Sequence, residues 1–128
     1  MKKEYEKTDK LRAVRFPLRV CPIGAHHDYQ NGRVTGMTFD ASVDMVYAPR
    51  EDNYVQIQSK EFPNKEIFSL SHDLEYIPSF YESYIRGAVK ALQQDYVLKV
   101  GVNAVASGNL PIGGFSSSAA VTTGYLMA

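Results

Sequence analysis

The sequence predicts an α+β domain, on three observations. Short strand-like runs recur through residues 11–69 and again at 100–107, and within them Val55 and Ile57 alternate with glutamines as in a half-buried strand. A single stretch, 80–94, sets Tyr81, Ile85, Ala88 and Leu92 at helical spacing. Residues 100–128 then run from a strand through a glycine-rich turn into an apolar, helix-compatible segment.

Taken in order, residues 1–10 are charged and expected to be a disordered N-terminus, with the domain proper at 11–128. Strands are expected at 11–16, 34–39, 42–48, 55–59, 67–69 and 100–107. Pro49-Arg50-Glu51-Asp52-Asn53 and Phe62-Pro63-Asn64-Lys65 read as turns between strands. Asn31-Gly32 is a hairpin signal in its own right. On helix 80–94 the aromatic residues read as core, and Glu82 with Arg86 forms an i,i+4 pair on another face. The last helix, 116–128, is apolar enough to be buried. Internal repeats, low-complexity segments and linkers are not evident.

Composition narrows the class. The 128 residues allow one domain with a modest core. Fourteen basic and fourteen acidic residues cancel, so no electrostatic footprint for nucleic acid is present. Neither a signal peptide nor a run of about 18 apolar residues for a membrane span is evident. Cys21 is the only cysteine, which excludes an internal disulfide and fits a cytoplasmic setting. A small buried filler is the expected role of that thiol.

Two segments carry chemistry. Leu110-Pro111-Ile112-Gly113-Gly114-Phe115-Ser116-Ser117-Ser118-Ala119-Ala120 follows a strand and opens a helix. Free backbone N–H groups, three hydroxyls and the positive end of the helix dipole make such a place an anion site. Glycines let a phosphate approach a backbone without Cβ atoms. Read alone, the same residues are equally a strand–turn–helix joint with Ser116 as N-cap. The second segment, Arg19-Val20-Cys21-Pro22-Ile23-Gly24-Ala25-His26-His27-Asp28-Tyr29-Gln30-Asn31-Gly32, gathers a cation, imidazoles, a carboxylate and a phenol in one turn-rich stretch. Such polar groups need partners or water, and they suit a polyhydroxylated ligand. His26-His27-Asp28 has no second ligand cluster, so metal ligation there is disfavoured.

Together these segments resemble the GHMP small-molecule kinases, in the galactokinase-like branch. Arg-Val-x-x-Ile-Gly-x-His-x-Asp-Tyr at 19–29 is similar to that branch's sugar-binding signature, and Pro-x-Gly…Ser-Ser-Ser-Ala-Ala at 111–120 to the family's phosphate loop. The resemblance covers about residues 11–128. Arg19 to His26 and the stretch from Tyr84 to Gln93 look more like galacturonokinases than galactokinases. The telling departure is Ala25, where galactokinases usually carry a glutamate beside the sugar's terminal hydroxymethyl. A uronic acid has a carboxylate at that carbon, and two such charges about 4 Å apart repel by roughly 1–4 kcal/mol. The phosphate loop is one residue shorter than the family's usual Pro-x-Gly-x-Gly-Leu-Ser-Ser-Ser.

The resemblance implies a two-layer fold like a ribosomal protein domain, with a left-handed βαβ crossover that periodicity alone does not show. It also implies an ATP-dependent sugar-1-kinase acting on the anomeric hydroxyl of galactose or galacturonate. In that reading Arg19 is catalytic and stabilises developing charge. Asp28 and His26 hold ring hydroxyls, Ala25 and Tyr29 shape the pocket, and Gly113, Gly114, Ser116, Ser117 and Ser118 cradle ATP phosphates. Ser118 is the candidate Mg²⁺ contact. Family members are several times longer, so the chain is expected to be an inactive N-terminal fragment, with the family's catalytic aspartate beyond it. The apolar end helix, 119–128, is then expected to promote homo-oligomers. A sugar- and ATP-binding regulator without turnover is the alternative, and a nucleic-acid module on the same fold is disfavoured by the zero net charge.

Overall fold

The computed structural model describes residues 10–71, 74, 82–109 and 117–128. Five strands form one sheet: β1 (Arg12–Val20), β2 (Met37–Arg50), β3 (Tyr54–Ser59), β4 (Lys65–Ser69) and β5 (Gly101–Gly108). Their order across the sheet is β1-β2-β5-β3-β4. β5 is antiparallel to β2 and parallel to β3, while β1–β2 and β3–β4 are antiparallel pairs. Two helices complete the described fold: α1 (Glu82–Asp95), between β4 and β5, and α2 (Ser117–Met127), after β5.

One face of the sheet carries the core. Phe16 and Leu18 of β1, Val43 and Met45 of β2, Ala104 and Ala106 of β5, Val55 and Ile57 of β3 and Phe68 of β4 form one buried cluster. Ile85, Ala88 and Val89 of α1 and Ala120 and Tyr125 of α2 join it, so both helices cover that face and two layers result. Small residues on β5 let the helices approach the sheet centre. The opposite face is polar along its middle, with Arg15 paired to Asp44 at 2.8 Å and Arg50 donating to Asn103 at 2.6 Å.

Most expected elements are present, with instructive shifts. The runs at 34–39 and 42–48 are one strand, β2, which starts only at Met37. The pairing register with β1 shifts between Pro17 and Arg19, so Pro17 faces Ser42 but Arg19 faces Thr38. This irregularity absorbs the residues between the two runs without ending the strand. β1 itself extends past Phe16 to Val20 and carries Arg19 near its end. Pro49 and Arg50 lie in β2 rather than in the following turn. Pairing with β1 has already ended at Arg12–Tyr47, so β2 is an edge on that side and tolerates a proline. The turn is 51–53, with Asn53 at φ 57.

Arg86, expected to pair along the helix surface with Glu82, has a partner on the sheet. It turns toward the sheet, where its Nε donates to Glu66 on β4 at 2.6 Å and its guanidinium lies 4.7 Å from the centre of the Phe68 ring. Glu66 is buried on the core face opposite Ile57, so it needs a buried cation more than a solvent-face carboxylate does. The Glu82 side chain and residues 80 and 81 lie outside the described residues. α2 buries Ala120, Gly124 and Tyr125 and packs on β1, β2 and α1. One face of this apolar helix is thus covered within the chain, and Leu126 and Met127 remain 42% and 65% exposed.

Candidate sugar and phosphate sites

The loop between β1 and β2 is built around its own backbone. Thr35 is its clasp: its amide and hydroxyl both donate to the Ile23 carbonyl, and its hydroxyl accepts from the Ile23 amide at 3.1 Å. The His27 amide then donates to the Gly24 carbonyl at 2.9 Å, and the Gly32 amide to the His27 carbonyl at 2.8 Å. Gly24 has φ 84, and a Cβ there would come 2.6 Å from the Arg33 carbonyl oxygen. Only glycine fits both the conformation and the close approach. Asp28, Tyr29 and Gln30 make a single 3-10 turn that Asn31 closes in the left-handed conformation, φ 57. Asn31-Gly32 therefore ends a helical turn here rather than joining two strands.

His26 has φ 95, which is uncommon for a residue with a Cβ. Backbone strain of this kind collects at functional sites. It lies in a cleft of about 460 Å³ bounded by Arg19, Ala25, His26, Asp28 and Tyr29, together with Val20, Cys21, Gly24 and Val34. The five sugar-site residues expected from sequence are thus brought together. The cleft is open, and Tyr29 is 72% exposed. Cys21 is half-buried, not a core filler, and its Sγ accepts from Arg19 Nη1 at 2.6 Å. The stem of Arg19 lies against Gly36, where an added Cβ would come 3.7 Å from Arg19 Cδ. Sequence reasoning missed Val20 and Val34 as walls of this cleft, since neither carries a chemical signal.

The phosphate side is described in part. Ser117 and Ser118 stand half-buried on the first turn of α2, which has no acidic residue. Gly113, Gly114 and Ser116 lie outside the described residues. Leading into that segment, Ser107 Oγ and the Gly108 amide both donate at 3.0 Å to Glu61 Oε1, from the connection between β3 and β4. Among the described residues no group of three or more histidine, cysteine, aspartate or glutamate side chains could hold a metal ion. No helix there is long and apolar enough to cross a membrane.

No family model matches the chain. Individual proteins do. It is 35% identical to a galacturonokinase of Arabidopsis thaliana over 93% of its own length, and 36% identical to a galactokinase of Chloroflexus aggregans over 89%. It covers 32% and 30% of those proteins, so the chain spans about a third of the length of the relatives it matches. In fold it is similar to the galactokinase of Lactococcus lactis crystallised with galactose, with a TM-score of 0.85 at 24% identity over 97% of this chain and 33% of that one. The mevalonate kinase of Methanococcus jannaschii follows the same fold, with a TM-score of 0.74 at 19% identity over 92% of this chain and 39% of that one. In sequence the chain is homologous to a galacturonokinase and a galactokinase over about a third of their length, and in fold it is similar to the GHMP kinase structures.

Proposed function

We propose that this chain is the N-terminal, sugar- and phosphate-binding part of an ATP-dependent sugar-1-kinase, with galacturonate as the preferred sugar. The observation that carries the reading is the cleft that gathers Arg19, Ala25, His26, Asp28 and Tyr29. Its donors and acceptors are varied and closely spaced, as a ring of hydroxyls requires. Asp28 accepts hydrogen bonds from ring hydroxyls, and His26, held at its strained φ, reaches a further one. Tyr29 offers a ring face and a phenol to the sugar. Arg19 stands at the strand end, where its guanidinium stabilises charge that develops at the anomeric oxygen.

The described part of the phosphate side fits a nucleotide. α2 opens with two serine hydroxyls and free amides and without an acidic side chain, so an anion meets donors and a favourable dipole. Bound ATP supplies the phosphoryl group that passes to the sugar. Gly113, Gly114, Ser116, Ser117 and Ser118 are the residues that would hold its phosphates. Mg²⁺ binds through few protein oxygens together with phosphates, so the Ser118 hydroxyl would be its protein contact, and the ion would neutralise phosphate charge. Positioning and charge stabilisation account for nearly all of phosphoryl-transfer catalysis, and these residues supply part of both.

Ala25 supports galacturonate over galactose. A methyl group in an open, polar cleft leaves room for a carboxylate and removes the repulsion that a glutamate would add. The test compares kcat/KM for both sugars with the full-length protein that carries this sequence. Galacturonate is expected to be preferred by at least tenfold, and Ala25→Glu to lower that preference by about 5- to 150-fold, as expected for about 1–3 kcal/mol of lost discrimination. Preference for galactose by the unsubstituted protein refutes the assignment of the sugar. A full-length protein that transfers no phosphoryl group from ATP to either sugar refutes the kinase reading.

A further inference from the structure

At the end of β5 the chain is held from both sides. On one side the Lys60 amide donates to the Ala106 carbonyl at 3.0 Å, and Glu61 Oε1 accepts from both the Ser107 hydroxyl and the Gly108 amide at 3.0 Å. On the other side the Ser42 amide donates to Asn109 Oδ1 at 2.9 Å, and the Asn109 amide returns a bond to the Ser42 carbonyl at 3.2 Å. Glu61 is itself fixed, because its Oε2 accepts from Ser59 Oγ at 2.6 Å and its amide donates back to that oxygen at 3.2 Å. The glycine-rich run with the three serines begins at the very next residue, Leu110.

We propose that Glu61 is a positioning residue for the phosphate loop: its carboxylate fixes Ser107 and Gly108, and so sets where the chain leaves β5 and enters the loop. The inference rests on the nucleotide-binding part of the proposed function, since the loop is a phosphate loop only if the protein binds ATP. A carboxylate is at first sight the wrong charge near a phosphate site. Its position on the connection between β3 and β4 resolves this. Both oxygens are occupied by donors of the protein itself, so the group works through the backbone and not on the ligand. Partial burial pushes the carboxyl up, but the bonds from Ser59, Ser107 and the Gly108 amide outweigh it and hold the group below its ordinary value. It is therefore an ionised, doubly accepting anchor at neutral pH. Among these bonds, the two to the β5 end share one oxygen. A glutamine can keep that oxygen in place and turn its amide to the Ser59 hydroxyl.

The test uses the full-length protein that carries this sequence and measures equilibrium binding of ATP and of galacturonate separately, with thermal unfolding of each variant. Glu61→Ala is expected to weaken ATP about tenfold while the sugar affinity stays within twofold. Glu61→Gln is expected to restore ATP binding to within about threefold of the unsubstituted protein. Ser107→Ala removes one of the two β5 donors, and it is expected to weaken ATP by about threefold. Unchanged ATP affinity in Glu61→Ala overturns the inference. So does equal weakening of ATP and sugar together, which marks a general loss of structure. Should Glu61→Ala fail to fold, Ser107→Ala decides the matter by the same two affinities. An unsubstituted protein that binds both ligands without phosphoryl transfer refutes the kinase reading alone, and the affinities still decide the role of Glu61. An unsubstituted protein that binds no ATP overturns both.

Discussion

At the residue scale the cleft proposed for the sugar was legible as a cluster because its residues are neighbours in sequence. Arg19 to Tyr29 fall within one loop and the strand end before it, so spacing alone keeps them close. Contacts between distant residues were not legible. Glu61 and Ser107 are 46 positions apart, and nothing local in either segment announces the other. The positive φ of His26 was equally hidden, since histidine carries no bias strong enough to reveal it. Two expectations belong at this scale. Arg19→Lys keeps the charge and loses the planar fork, so in the proposed kinase kcat falls about 10²-fold with a smaller change in sugar affinity. Single-turnover measurement against direct sugar binding separates the two. Gly24→Ala forces a methyl against the Arg33 carbonyl at a left-handed φ, and is expected to cost about 1–3 kcal/mol of local order. Thermal unfolding and a raised KM for sugar, with ATP affinity unchanged, are the measurements that check it.

Elements were read better than their ends and joints. β3, β5 and the described parts of both helices lie close to where they were expected, whereas β4 begins at Lys65, in the expected turn, because its buried face is Glu66 and Phe68 and Ile67 faces out. β2 was read as two strands because Asp40 and its neighbours break the apolar alternation. The register shift opposite Pro17, a property of two strands at once, is what lets it continue. The same limit applies to α1, whose Arg86 pairs with Glu66 on the sheet, 20 positions away and beyond the reach of local spacing. Glu66→Ala leaves a mostly buried guanidinium without this carboxylate, and is expected to destabilise the protein by about 2–4 kcal/mol. Replacing both partners, Glu66→Leu with Arg86→Met, is expected to recover most of that loss in denaturant unfolding. At α2, a Cβ on Gly124 would strike the Phe16 ring. Gly124→Ala is therefore expected to lower stability by about 1–3 kcal/mol despite the better helix propensity of alanine, because the ring must move within a packed core.

For the whole molecule, acidity is a simple probe. The hydrogen bond from Arg50 holds the Asp52 carboxyl at about 2, and the one from Arg15 holds Asp44 below its ordinary value. Carboxyls lowered by folding stabilise the protein above their unfolded values, about 4, and the contribution is lost as pH falls through the folded ones. The difference in Tm between the unsubstituted protein and Asp52→Asn is therefore expected to shrink from pH 6 to pH 2. Because the chain spans about a third of its relatives, these 128 residues alone are expected to release no sugar-dependent ADP under conditions in which the proposed full-length kinase does. The placement of β5 has a further consequence, for the order of assembly. The pairs β1–β2 and β3–β4 join strands that are close in sequence, but each leaves an inner edge open until β5 arrives between them. A nascent chain that has not yet extended past residue 100 thus holds two separate ribbons with unsatisfied edges, the stage most prone to aggregation. Insertion of the last strand closes both edges in one event. The glycine-rich run follows that strand directly in sequence, so in the proposed kinase competence to grip a phosphate is expected only once the sheet is sealed.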